Sequence, residues 1–125
     1  MTSIFCVGAG GFLGAVFRYL VGLAIPANNI SLPVSTLLIN VIGAFAIGFI
    51  SGMIGNRTDF NSNLGLFLTV GVCGGFTTFS TFSLEVLTLM EGGKPAMGFI
   101  YAFLSFAFCV AGVILGRLLE RVCAV

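Results

Sequence analysis

The chain has 125 residues, of which 58% are hydrophobic and 7% are charged, and its mean hydropathy is +1.19. Soluble domains carry about 25% charged residues, so this composition excludes an ordinary soluble protein and predicts an integral membrane protein. A net charge of +1 provides no basic patch, which argues against a nucleic-acid partner. The sequence has no histidine and no clustered cysteines, which argues against a side-chain metal centre. No apolar segment pairs a nucleophile with a base, so an enzyme is not expected.

Four apolar segments are long enough to cross a bilayer as helices, which takes roughly 20 residues each. We expect a single domain, residues 1–125, with spans at about 4–25, 33–55, 64–90 and 96–121. Short polar stretches at 26–29, 56–59 and 91–95 separate them. An open sheet edge cannot satisfy its hydrogen bonds in lipid. The predicted fold class is therefore an all-α membrane protein with four transmembrane helices, surrounded by membrane lipid.

The first span combines small residues with one charge. Gly10 and Gly14 are four residues apart, which predicts a small-residue face for close helix packing. Arg18 lies well inside the span, where an ionised side chain is costly. Two interpretations stay open for it. Its side chain reaches the nearer membrane surface, or it marks the mouth of an anion path.

The second span carries an amide, Asn40, in its first third. In lipid such a residue often joins two helices through a hydrogen bond worth about 1 kcal/mol. It also suits a pore, where it donates to an ion. Both interpretations remain, and the content of the third span favours the pore.

The third span is the most unusual, because residues 74–85 read Gly-Gly-Phe-Thr-Thr-Phe-Ser-Thr-Phe-Ser-Leu-Glu. The glycine and threonine pairs disfavour helix and predict a break near the membrane midplane. Backbone freed by a break is tolerated in a membrane only where protein or a cavity covers it, and it commonly coordinates ions. Phenyl rings, which have positive edges, alternate here with hydroxyl groups. We interpret the stretch as the lining of an ion pathway. Glu85 lies either at the membrane interface, which is the favoured position, or at a vestibule.

Positive charges divide almost evenly between the two membrane sides. Arg57, Arg117 and Arg121 fall on one side, and Lys94 falls on the other, together with Arg18 if it reaches that surface. So small a bias specifies orientation weakly. Four thin helices also offer little surface to enclose a pore. A chain that inserts in both orientations can pair with an inverted copy of itself, and we expect an oligomer.

The decapeptide at 74–83 closely resembles the signature of the CrcB/Fluc fluoride channels. Three further features fall where that family has them: Gly-x-x-x-Arg-Tyr from Gly14, Asn40-x-x-Gly43, and Ser105 eleven residues before Gly116. The resemblance therefore covers the whole chain.

This resemblance implies a cell-membrane homodimer, antiparallel and of dual topology, with two pores that export fluoride passively, select against chloride and relieve fluoride toxicity. It implies a structural sodium ion at the dimer interface, held by the backbone carbonyls of Gly74 and Thr77. Arg18 corresponds to a basic residue near the vestibule. The positions that match the family's fluoride pore are Asn40, Phe79, Ser80, Thr81, Phe82, Ser83 and, as an addition, Ser105.

Two other classes of membrane protein fit less well. Small multidrug-type transporters, which also have four short helices, depend on a glutamate in the first span, and this chain has none there. A purely structural membrane subunit would leave the hydroxyl-rich broken helix unexplained.

Overall fold

A computed structural model describes residues 1–25, 32–55 and 63–123. Their helices are α1 (Thr2–Ala24), α2 (Val34–Gly55), α3 (residues 63–76), α4 (Phe79–Glu91) and α5 (Pro95–Cys123). The third of four candidate membrane spans, Asn63–Glu91, consists of α3 and α4. The prediction of four helical spans with a break in the third is confirmed. The antiparallel dimer stays a prediction.

Of the three predicted connections, only the one at 91–95 belongs to the described part of the chain. There α4 ends at Glu91 and α5 begins at Pro95. Gly93 has a φ of +75° in this turn, a left-handed value that glycine adopts without strain. The predicted connections at 26–29 and 56–59, which include Arg57, lie outside the described residues.

Helix α1 packs closely against α3 through glycine. Gly10 and Gly14 are the buried residues of α1. A Cβ atom on Gly10 would meet the backbone carbonyl of Phe67, and one on Gly14 would lie 2.8 Å from the Phe76 nitrogen. The predicted small-residue face is confirmed, since any side chain at these positions would push the two backbones apart.

Helix α2 packs against α5 in the same manner. Gly48 lies against the backbone of Val113, and Gly116 lies against the backbone of Phe45. Helix α4 then packs on α5, where a Cβ atom on Gly98 would be 3.2 Å from the Cγ atom of Met90. Two glycine-packed helix pairs therefore frame the break between α3 and α4.

Part of α3, Phe67–Cys73, forms π-helical turns, in which each hydrogen bond spans one residue more than in an α-helix. Just before these turns end, Gly71 lies against Gly10, and Gly75 follows against Gly11. The sequence did not predict the π turns.

The charges at the end of α5 are not all in water. Arg117 and Arg121 are exposed, but the Glu120 side chain is only 5% exposed. Its carboxylate lies beside Gly52, where a Cβ atom would come 2.7 Å from Oε2. The sequence predicts that Arg117, Glu120 and Arg121 all face water. For Glu120 this is wrong, because a glycine on α2 leaves space for the carboxylate between the two helices.

Candidate functional site

The helix break lies at the two threonines rather than at the glycine pair. Thr77 (φ −78°, ψ 158°) and Thr78 (φ −146°, ψ 113°) are extended, whereas Gly74 (φ −64°, ψ −37°) is helical. The Thr78 hydroxyl accepts a hydrogen bond from Thr81 N at 3.3 Å and so caps the start of α4. Of the glycine and threonine pairs that predicted the break, only the threonines therefore leave the helix. Threonine favours the extended, capping conformation, while Gly75 is held in helix by its contact with Gly11.

Asn40 holds the break open with its amide. Its Oδ1 atom accepts from Thr78 N at 2.8 Å, and its Nδ2 atom donates to the Thr78 carbonyl at 3.1 Å. In a continuous α-helix Thr78 N would donate to the carbonyl of Gly74 instead. The contact therefore releases that carbonyl from its usual partner. A primary amide has two N–H donors, so Asn40 keeps one for a further acceptor.

The Arg18 side chain reaches the break. Its side chain is half-buried, and Nη1 donates a long hydrogen bond of 3.5 Å to the carbonyl of Thr77. The Thr77 hydroxyl and backbone N–H both donate to the Cys73 carbonyl at 3.0 Å. The Thr77 methyl group occupies space that Gly43 leaves free on α2. The break thus joins α1, α2 and α3, with a guanidinium group beside it.

A cavity of about 350 Å³ opens at the break. Its walls are uncharged and consist of Asn40, Ala44, Thr77, Thr78, Phe79, Phe82, Ser105, Phe106, Cys109 and Val110. The rings of Phe79 and Phe82 lie 5.5 Å apart, centroid to centroid, and are tilted by 46°. Ser105 is 5% exposed, and its hydroxyl has no hydrogen-bond partner among the described residues. The structure therefore brings together Asn40, both phenylalanines and Ser105, which the sequence placed on three different spans.

The remaining hydroxyls predicted for the pore do not line this cavity. Ser80, Thr81 and Ser83 are exposed on α4 in the single chain. Thr81 receives a hydrogen bond of 2.9 Å from the Thr78 hydroxyl, and Ser83 donates to a backbone carbonyl one turn earlier at 2.8 Å. Their role as a track for the anion stays a prediction.

Sequence reasoning missed a second polar cluster next to the cavity. Glu85 is half-buried and accepts hydrogen bonds of 2.7 Å from both Thr36 and Tyr101. The hydroxyls of two other helices stabilise its carboxylate inside the protein, and the membrane depth expected for Glu85 stays a prediction. The ring of Phe82 lies 5.4 Å from that of Tyr101 and connects the cluster to the cavity. The sequence held one indirect signal of this cluster. Tyr101 lies four residues before the cavity residue Ser105, on the same face of α5.

Comparison with known proteins assigns the family. Residues 5–117 match the family described as CrcB-like protein, Camphor Resistance (CrcB). The chain belongs to the CrcB-like family. The resemblance read from the decapeptide is confirmed, and with its four spans the chain is a multi-pass membrane protein.

Curated CrcB-like relatives match the chain over nearly its whole length. It is 45% identical to the fluoride-specific ion channel FluC of Ruminiclostridium cellulolyticum, over 99% of this chain and 96% of that protein. It is 42% identical to the fluoride-specific ion channel FluC of Chlorobaculum tepidum, over 97% of this chain and 96% of that protein. It is 41% identical to the fluoride-specific ion channel FluC of Rhizobium meliloti, over 97% of this chain and 98% of that protein.

Proposed function

We propose that this chain forms a fluoride-selective channel, not an enzyme, through which cytoplasmic fluoride leaves the cell passively and fluoride toxicity is relieved. The observation that carries the proposal is the uncharged cavity at the helix break, which holds an amide, three phenyl rings and a buried hydroxyl without a partner among the described residues. The names of the relatives support fluoride as the ion.

The residues of the cavity suit an anion that has lost its water. The second N–H of Asn40 and the hydroxyl of Ser105 are donors, and the positive edges of the Phe79 and Phe82 rings add weaker attraction. A full positive charge in the walls would hold an anion strongly, whereas conduction requires binding weak enough for the ion to leave. Arg18 lies beside the break without lining the cavity, so it attracts anions without trapping them.

We extend the proposal to an antiparallel, dual-topology homodimer with two pores. Ser80, Thr81 and Ser83 are exposed in one chain, and lipid cannot satisfy the hydrogen-bonding capacity that their hydroxyls still have. A partner chain on this side of α4 would turn them into the wall of an enclosed path. In that assembly they form the hydroxyl track that continues from the cavity.

A structural sodium ion at the dimer interface is the final part of the proposal. Gly74 is exposed, its carbonyl is released by the break, and a Cβ atom there would meet only Thr69 O, at 3.8 Å. Backbone carbonyls are suitable ligands for an alkali cation. One chain supplies two of them, from Gly74 and Thr77, so a partner chain has to supply the further ligands. A carbonyl oxygen has two lone pairs, so Thr77 can accept from Arg18 and still bind the ion.

Fluoride efflux from proteoliposomes, followed with a fluoride electrode, tests the channel. We expect rapid fluoride efflux with the unaltered protein, negligible chloride efflux, and loss of fluoride efflux in Phe82→Ile. The matched control is Phe103→Ile, because Phe103 is 70% exposed and does not line the cavity. Equal chloride efflux, no fluoride efflux, or the same efflux in both variants would overturn the proposal.

The sodium site has its own test. We expect Gly74→Leu to reduce the cross-linked dimer and the bound sodium together, because the side chain would fill the space beside the released carbonyl. Gly22→Leu is the control, since a Cβ atom there has no neighbour within 4 Å. A normal dimer with normal sodium content in Gly74→Leu would count against the site.

A further inference from the structure

A free thiol lines the cavity at the helix break. Cys109 of α5 belongs to its walls, together with Ser105 one turn earlier. The other cysteines lie elsewhere: Cys6 near the start of α1, Cys73 buried in the π turns at 4% exposure, and Cys123 exposed at the end of α5. Cys109 is thus the cysteine that a molecule inside the cavity would meet.

The hydroxyl next to it points to a ligand. Ser105 is 5% exposed, and its hydroxyl finds no partner in the described part of the chain. A buried polar group without a partner is costly and calls for an explanation such as a bound ion or water. Residues four apart share one helix face, so a species that reaches Ser105 also comes close to Cys109.

We propose that Cys109 is a binding site for soft, thiophilic metal ions, with Hg²⁺ as the probe, and that metal bound there blocks the channel. Thiolate sulfur selects soft metals. The neighbouring walls contribute the rings of Phe79, Phe82 and Phe106, whose faces attract cations. Uncharged walls also admit neutral mercuric chloride. The blocking effect, unlike the binding, rests on the proposed channel function.

The binding step is a ligand exchange without electron transfer. The Cys109 thiol loses its proton, its sulfur bonds to mercury, and one chloride leaves while the other stays on the metal. Cys–SH and HgCl₂ thereby give Cys–S–HgCl, H⁺ and Cl⁻. Because mercury is satisfied by two ligands in line, one thiol suffices and no further cysteine is needed. The bound group occupies the cavity between the α5 wall and Asn40, where the anion would have to pass.

Two measurements on the full-length protein in liposomes test the proposal. The first is the fluoride efflux after mercuric chloride, relative to the untreated efflux of the same variant. We expect a fall of roughly tenfold or more in the unaltered protein, because a filled constriction stops conduction, and recovery with excess dithiothreitol. Cys109→Ser and Cys109→Ala should lose this sensitivity, whereas the double variant Cys6→Ser/Cys123→Ser should keep it.

The second measurement is the mass of the intact protein, followed by peptide mapping of the mercury adduct. We expect an adduct on the α5 peptide that contains Cys109, and its loss in both Cys109 variants. No adduct at Cys109 would overturn the site. An adduct at Cys109 without inhibition, or inhibition that persists in both Cys109 variants, would overturn the block. Absence of fluoride efflux before mercury is added would instead refute the channel, and the mapped adduct would still decide the site.

Discussion

Replacing Asn40 with leucine removes both hydrogen bonds that hold Thr78 in the break. Leucine is close to asparagine in size but has no polar atoms. Hydrogen bonds between membrane helices are worth about 1–2 kcal/mol in model peptides, so losing two should destabilise the fold by about 2–4 kcal/mol. Since each 1.4 kcal/mol is tenfold, the folding equilibrium should fall about 30- to 700-fold. Part of the lost free energy is recovered if Thr78 N donates to the Gly74 carbonyl and the third span becomes one continuous helix.

The assay is an SDS titration of the detergent-solubilised protein, followed by circular dichroism, together with fluoride efflux. Thr88→Val is the control, because the exposed Thr88 hydroxyl donates only within its own helix, to Leu84 O at 2.8 Å. We expect Thr88→Val to cost less than about 1 kcal/mol and to conduct normally. If Asn40→Leu is no less stable than Thr88→Val and conducts equally well, Asn40 does not support the break.

Two further predictions use the same titration. Gly10→Ala should destabilise the protein by about 1–3 kcal/mol, because its Cβ atom would collide with the backbone of α3, whereas Gly8→Ala, with nothing within 4 Å, should be neutral or stabilising by up to about 1 kcal/mol. Equal effects would contradict the glycine-packed pair. Thr78→Val should lose about 1 kcal/mol with the helix cap, and Thr78→Ser should lose much less. A serine variant as unstable as the valine variant would show that the cap is unimportant.

The break could be predicted from the sequence, but its position could not. Glycine and threonine both weaken a helix, so the pairs at 74–75 and 77–78 were equal candidates. Contacts between helices decide which pair forms the break. Gly75 packs against Gly11 of α1, and the backbone of Thr78 is hydrogen-bonded to Asn40 of α2. The helix propensity of the local sequence cannot reveal either contact.

Apolar helices and small-residue faces could be predicted because each depends on one segment and its period. The Glu85 cluster could not, since its carboxylate meets hydroxyls from α2 and α5, and the sequence separations are 49 and 16 residues. The π turns gave no signal either, because the same residue types occur in the regular α-helix α1. Ser105 was suggested by the family resemblance, and only the cavity gives it a physical context.

The pairing of Asn40 with Thr78 also constrains the order in which the chain is assembled. The break exposes backbone groups that cannot stay unpaired in lipid, and their partner is a side chain on another helix. The third span therefore enters the bilayer most favourably as one straight helix, with Thr78 N bonded to the Gly74 carbonyl. It bends only after the second span has docked and offered its amide in exchange. The bend is thus a late product of assembly, and a third span expressed alone should remain straight.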